Sequence, residues 1–169
     1  MITSQLPLPI SLQDALTQVI RPALRLLPAE MASPQAEVQL LAIMLQESRL
    51  KHRRQIRGPA RGLPQFETGG VRGVMNHPAS RARARMVCVS RDVVFEASEI
   101  HARMEHDDVL AAAFARLLLW TDPQPLPKLG DAQGAWDLYI RTWRPGKPHR
   151  HTWDKLYHDA HRAVTGGHP

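Results

Sequence analysis

Cysteine is almost absent from this chain of 169 residues: Cys88 stands alone, so no internal disulfide can form and folding does not rely on an oxidising compartment. Its apolar, periodic surroundings predict a small core residue. Long hydrophobic runs are missing too. The longest, Val109 to Trp120, is too short to cross a bilayer and contains Arg116, so no membrane insertion is expected. Met1 to Ile10 has no basic start and is interrupted by Pro7 and Pro9, which predicts no secretory leader. Aromatic residues make up 5% of the chain. Also absent are Cys-x-x-Cys pairs, a glycine-rich phosphate loop, a nucleophilic serine motif, a His-Glu-x-x-His pair and any run with the two-residue alternation of strands.

What is present is positive charge and helical periodicity. The formal charge is +6 and the isoelectric point about 10.2, which predicts attraction to polyanions such as bacterial wall polymers, nucleic acid or an anionic membrane. One basic stretch holds Arg49, Lys51, His52, Arg53, Arg54, Arg57 and Arg61, another Arg72, Arg81, Arg83 and Arg85. A solvated face is the plain alternative for both.

The length fits one domain, 1–169, with a core over about residues 10–165. The pattern is mainly α. Ser11 caps a first helix to about Leu27, bent at Pro22. Ser33 and Pro34 start a second, to about Leu50, in which Val38, Leu41, Ala42 and Leu45 share one face while Leu40, Ile43 and Met44 cover the others. A helix apolar all round belongs in the middle of its domain. Lys51 to Pro78, rich in glycine, proline and arginine, lacks helical periodicity. A third helix is expected over Ser80–Glu105 with Met86, Val89, Val93, Ala97, Ile100 and Met104 at core spacing. A fourth, capped by Asp107 or Asp108, covers Val109–Thr121. After the stiff, proline-rich Asp122–Gly130, Asp131 caps a fifth to Trp143, and a sixth spans Thr152–Val164, ended by Gly166 and Gly167.

One carboxylate stands out. Glu47 lies at the end of the all-apolar second helix, where apolar surroundings disfavour its ionised form and let it keep a proton near neutral pH. That is what a general acid for breaking a glycosidic bond requires. The alternative is a capping or ion-pairing glutamate beside Arg49 or Lys51. The pattern Ala42-Ile43-x-x-Gln46-Glu47-Ser48, followed by Gly58-x-Ala60-x-Gly62-Leu63-x-Gln65, resembles the core of the soluble lytic transglycosylases and goose-type lysozymes. The resemblance covers roughly Ala42 to Phe66. Pro64 stands where that family usually has Met, and Leu110 to Ala115 matches poorly the family's Ala-x-Tyr-Asn segment, since Phe114 lacks a hydroxyl.

The resemblance implies a single-domain lysozyme-like helical fold, with an irregular loop or small hairpin bordering a cleft. It implies cleavage of the β-1,4 bond between N-acetylmuramic acid and N-acetylglucosamine, with Glu47 as catalytic acid and Ser48, Gly62 and Gln65 near substrate. Tyr139 and Trp143 are candidates for the missing sugar contacts, because aromatic rings stack on sugar faces and a tyrosine hydroxyl can bond an acetamido group. With Trp136 and Ile140 they also fit a core face at helical spacing. Glu67 is the nearest candidate for a second acid; Asp92 and Asp107 are remoter. A lytic transglycosylase needs only one carboxylate, and a hydrolytic lysozyme on the same fold is the alternative. His149, His151, His158 and His161 crowd the carboxyl end without a metal-binding arrangement, so no metal or cofactor is expected. The expected partner is peptidoglycan, together with phage structural or release proteins if the chain is of bacteriophage or prophage origin. It would then reside in the host cytoplasm or the virion and act on the periplasmic wall. A basic helical nucleic-acid-binding module is the reading from another class.

Overall fold

The computed structural model describes residues 5–166, so Gly167, expected to help end the last helix, lies outside the described residues. The chain is mainly helical. Eight helices and no strand occur among the described residues, in place of the six helices expected from periodicity.

Helix α1 runs in three continuous segments, Leu12–Asp14, the π-helical Ala15–Ile20, and Arg21–Arg25. Ser11 caps it, its Oγ accepting from the Asp14 amide at 3.0 Å. The wide turns come just ahead of Pro22, whose ring and missing N–H do not suit a regular α-turn. After a 3₁₀ turn, Ala29–Met31, α2 spans Pro34–Ser48, with Ser33 Oγ accepting from the Ala36 amide. Leu40, Leu41, Ala42, Ile43 and Met44 are fully buried, as expected of a helix apolar on every side. It packs most extensively on the last helix, and also on α1 and on α6.

Two expectations fail. Thr68–Asn76, expected to lack helix, forms α3, which buries Val71 and Val74 against its neighbours despite Gly69, Gly70 and Gly73. The single helix expected over Ser80–Glu105 is two, α4 (Arg81–Ser90) and α5 (Ala97–Arg103). The break is a Schellman closure: Val93 N–H bonds the Cys88 carbonyl, Asp92 N–H bonds that of Val89, and Asp92 takes φ 54°. The register changes with it. Met86 and Val89, expected in the core, are 58% and 81% exposed, while Ala84, Val87 and Cys88 are buried. Ser80 does not cap α4; its Oγ donates to the Val74 carbonyl instead.

Helix α6, Asp108–Trp120, is buried from Leu110 to Leu117 and is capped by Asp107, which accepts from the Leu110 amide. Asp131 caps α7, Ala132–Trp143, by accepting from the Gly134 amide. Helix α8, Arg150–Thr165, ends at Gly166 in the left-handed region, φ 71°. Helices α2 and α6, which bury most of their residues, anchor a core to which every other helix contributes buried side chains.

Candidate active site

Glu47 sits in the last turn of α2 and is partly buried. The helix stops abruptly after it. Arg49 and Leu50 both take positive φ, 58° and 59°, which costs a non-glycine residue energy that the surroundings must supply. Leu50 recovers some of it by complete burial, and its carbonyl accepts from the Ile10 amide at 2.9 Å.

The loop from Arg53 to Glu67 comes back beside this helix end and is tied down at many points. Two isolated antiparallel bridges, Arg54 with Arg61 and Arg61 with Phe66, are all the pairing it has among the described residues, so it is an irregular loop rather than a hairpin of strands. The Gly62 amide donates to the Arg53 carbonyl at 2.7 Å, and the Trp143 indole donates to the Pro64 carbonyl at 2.9 Å. Arg53 reaches Asp108 with a two-pronged ion pair at 2.7 and 2.9 Å, and also donates to the Leu6 carbonyl. His101 Nε2 lies 2.8 Å from the Phe66 carbonyl. Thus fixed, the loop carries Gln65, at φ 56°, into the same cleft as Glu47.

That cleft has a volume of about 700 Å³, and Glu47, Gln65, Phe66, Glu67, Tyr139 and Trp143 all line it. The Tyr139 hydroxyl donates to Glu47 Oε1 at 2.6 Å. Tyr139 is itself held by stacking on Trp153, with ring centroids 5.3 Å apart and planes 9° apart. Burial pushes the Glu47 carboxyl above the usual glutamate range; the tyrosine hydrogen bond opposes that shift, and negative charge at Glu67 adds to it. The Tyr139 hydroxyl is raised in turn by burial and by the carboxylate beside it, so it stays a donor. Glu47 is therefore a carboxyl with one oxygen committed to a fixed donor and a raised affinity for its proton.

The other expected residues divide. Gln65 is 9% exposed, and its Nε2 donates to the Gly62 carbonyl at 2.8 Å, which orients the amide within the cleft wall. The Trp143 ring lies between Phe66 and Tyr139, at 5.8 and 6.3 Å, with its N–H already used on Pro64. Trp136 is buried core and does not reach the cleft.

Ser48 does not face the cleft. It is fully buried, donating to the Met44 carbonyl and accepting from the Leu50 amide, so it ties off the helix end rather than touching a ligand. Gly62 does not line the cleft either. At φ 78° it lies against α6 and the end of α5, where an added Cβ would come within 3.1 Å of the Ala111 Cβ and 3.3 Å of Met104. Close backbone packing, not sugar access, requires the glycine.

Glu67 is exposed at the cleft, whereas Asp107 is committed to capping α6 and pairing with Arg91, and Asp92 lies in the turn that ends α4. Sequence reasoning overlooked His52, Gln55 and Gln46 as cleft residues. Gln46 is fixed by Thr152 Oγ1 and the His149 carbonyl, contacts that nothing local in the sequence announces.

Among the described residues, no three His, Cys, Asp or Glu side chains gather as a metal site. The first basic stretch is not a uniform free face: Arg53 and Arg61 are paired with Asp108 and Glu105, leaving Arg49, Arg54 and Arg57 exposed. No family model, curated protein or solved structure matches this chain.

Proposed function

We propose that the chain is a lysozyme-like, peptidoglycan-cleaving enzyme of the lytic transglycosylase type. The observation that carries this reading is Glu47 itself: a partly buried carboxyl with raised pKa, hydrogen-bonded to Tyr139, in no ion pair among the described residues, and lining a cleft of about 700 Å³. With Tyr139 donating to Oε1, a proton carried on Oε2 would be free for delivery.

In the proposed reaction Oε2 gives its proton to the bridging oxygen between N-acetylmuramic acid and N-acetylglucosamine. The C1–O bond breaks, and the electron pair leaves with the protonated oxygen. The N-acetyl oxygen of the muramic acid supports the cation at C1. Glu47, now ionised and stabilised by the Tyr139 hydroxyl, removes the proton of the sugar's 6-hydroxyl as that oxygen bonds C1. A 1,6-anhydro end forms, Glu47 is reprotonated, and no water is consumed. The hydroxyl that the family resemblance places on an Ala-x-Tyr-Asn helix comes here from Tyr139 on α7, while Phe114 is buried. Gln65 and Trp143 bind and orient sugar.

A hydrolytic lysozyme is the second reading, and Glu67 favours it. It is exposed in the same cleft and near enough to disfavour a second negative charge on Glu47, so it could activate water. Mass spectrometry of muropeptides released from purified walls separates the two. Anhydro ends, lighter by one water, support the transglycosylase; reducing ends in their place, lost in Glu67→Gln, support hydrolysis. No lysis product at all would overturn both. The nucleic-acid alternative rests on the run Arg49 to Arg61, of which Arg53 and Arg61 are paired and Arg49, Arg54 and Arg57 are exposed; a salt-dependent shift of duplex DNA with inert walls would favour it instead.

A further inference from the structure

A second concavity, of about 570 Å³, lies where the end of α6 meets the start of α2 and the proline-rich connection. Leu119, Trp120, Pro123, Pro125 and Leu126 give it apolar walls, and Arg116 reaches it from α6. Arg116 is the unusual element. It is 3% exposed, yet no carboxylate oxygen lies within ion-pairing distance of it among the described residues. Buried guanidinium groups are normally paired, because an isolated buried charge is costly.

Only Nε of Arg116 is satisfied, donating to the Met31 carbonyl at 2.8 Å; its carbon centre lies 5.3 Å from the Trp120 ring. The two terminal amino groups have no hydrogen-bond partner among the described residues. No fully buried side-chain nitrogen or oxygen there lacks one, so those amino groups keep some accessible surface, and Arg116 is among the residues that line the concavity. Burial lowers the guanidinium pKa to about 10, with no neighbouring acid offsetting it, and at neutral pH it stays charged. The nearby acids are otherwise placed. Asp122 is held by Arg141 through both oxygens, and Glu30 is exposed at the rim. Gln35 and Trp120 also line the space, and neither side chain has a hydrogen-bond partner among the described residues.

We propose that this concavity is a binding site for the terminal carboxylate of a short apolar peptide, received by the two free amino groups of Arg116 with the peptide body against Trp120 and the prolines. A fork of two N–H donors matches a carboxylate, Leu119, Trp120, Pro123, Pro125 and Leu126 offer apolar surface to small side chains, and Ser33, Gln35 and Gln124 offer polar groups to a peptide backbone. The proposal does not rest on the glycosidase reading, because the site is lined by none of the residues used there.

The test titrates the intact protein with N-acetyl-alanyl-alanine, as the D,D and L,L forms, and with the C-terminal amide of each, following the assigned Trp120 indole N–H by NMR. The acids should shift that resonance saturably, and the amides should bind about ten- to a hundred-fold more weakly, as loss of a charge-assisted hydrogen-bonded pair requires. Preference for D,D identifies wall stem peptides as the source and preference for L,L identifies a protein terminus; equal binding assigns recognition to the carboxylate alone. Arg116→Met should abolish binding. Should it fail to fold for want of the Met31 contact, Arg116→Lys, which keeps the charge but loses the fork, should bind at least several-fold more weakly. Amides that bind as well as acids, or acids that leave Trp120 unmoved, would overturn the proposal.

Discussion

Tyr139 donates to one oxygen of Glu47 across 92 residues of sequence, and that bond makes the roles of the two side chains separable. Glu47→Gln keeps the shape and the acceptor for Tyr139 but carries no transferable proton, so wall-lysing activity should fall by at least about 10²-fold in a folded protein. Tyr139→Phe acts differently. The hydroxyl favours the ionised carboxylate and holds the Glu47 pKa down against burial, so removing it should raise that pKa further. The alkaline limb of the pH–rate profile should move to higher pH while the maximal rate drops; a limb that stays put or moves down would remove Tyr139 from contact with the titrating group. Gln65→Ala should lower the rate and leave the limb in place. The place of Glu47, in the last turn of a helix whose middle is apolar on every side, was legible because capping and periodicity mark that helix in the sequence. Ser48 was misjudged because a pattern gives order along the chain and not direction: one residue on, a helix turns about 100°, so with Glu47 at the cleft Ser48 points into the core. Gly62 was misjudged for a similar reason, since a left-handed glycine is required equally by a ligand or by a packed helix.

Helix starts were readable wherever a side chain caps them, at Ser11, Ser33, Asp107 and Asp131, because that signal is local. Elements made by tertiary contact were not. Helix α3 contains three glycines, which argue for a loop, and it exists because Val71 and Val74 find a core to enter. The break between α4 and α5 uses Asp92 rather than glycine in the left-handed position, so no punctuation marks it. The same distinction separates the arginines of the cleft loop. Arg53 and Asp108 are 9% and 7% exposed, and Arg53→Met leaves a buried carboxylate unpaired, so stability should fall by about 3–5 kcal/mol in denaturant unfolding. Arg54 and Arg57 are exposed, and replacing both with Gln should change stability by less than about 0.5 kcal/mol each. If the loop faces the wall polymer, that double variant should instead bind walls more weakly at low ionic strength and equally at high salt. A large stability loss with unchanged salt dependence would give these two arginines a structural role like that of Arg53.

At the scale of the whole molecule, a carboxyl held near apolar surface against its preference for water must weaken the fold that holds it. The Glu47 pKa is raised in the folded chain above its ordinary value, so folding favours the protonated form. Below the unfolded-state pKa both states are protonated and the site is without cost. As pH rises through the window between the unfolded and the raised folded value, the unfolded chain releases its proton first and the folded state loses relative stability. Above the folded value the loss is complete and constant. Glu47→Gln cannot titrate. Its unfolding free energy relative to the native sequence should therefore climb from about pH 4 upward and then level off, whatever constant offset the amide itself introduces. Under the proposed function one proton governs both, so the pH at which the difference levels off should coincide with the alkaline limb of the activity profile. Urea unfolding of the two proteins across the pH range tests this. A difference that is flat with pH, or that runs in the opposite direction, would mean that Glu47 is not held protonated by its surroundings, and the activity limb would then belong to another group.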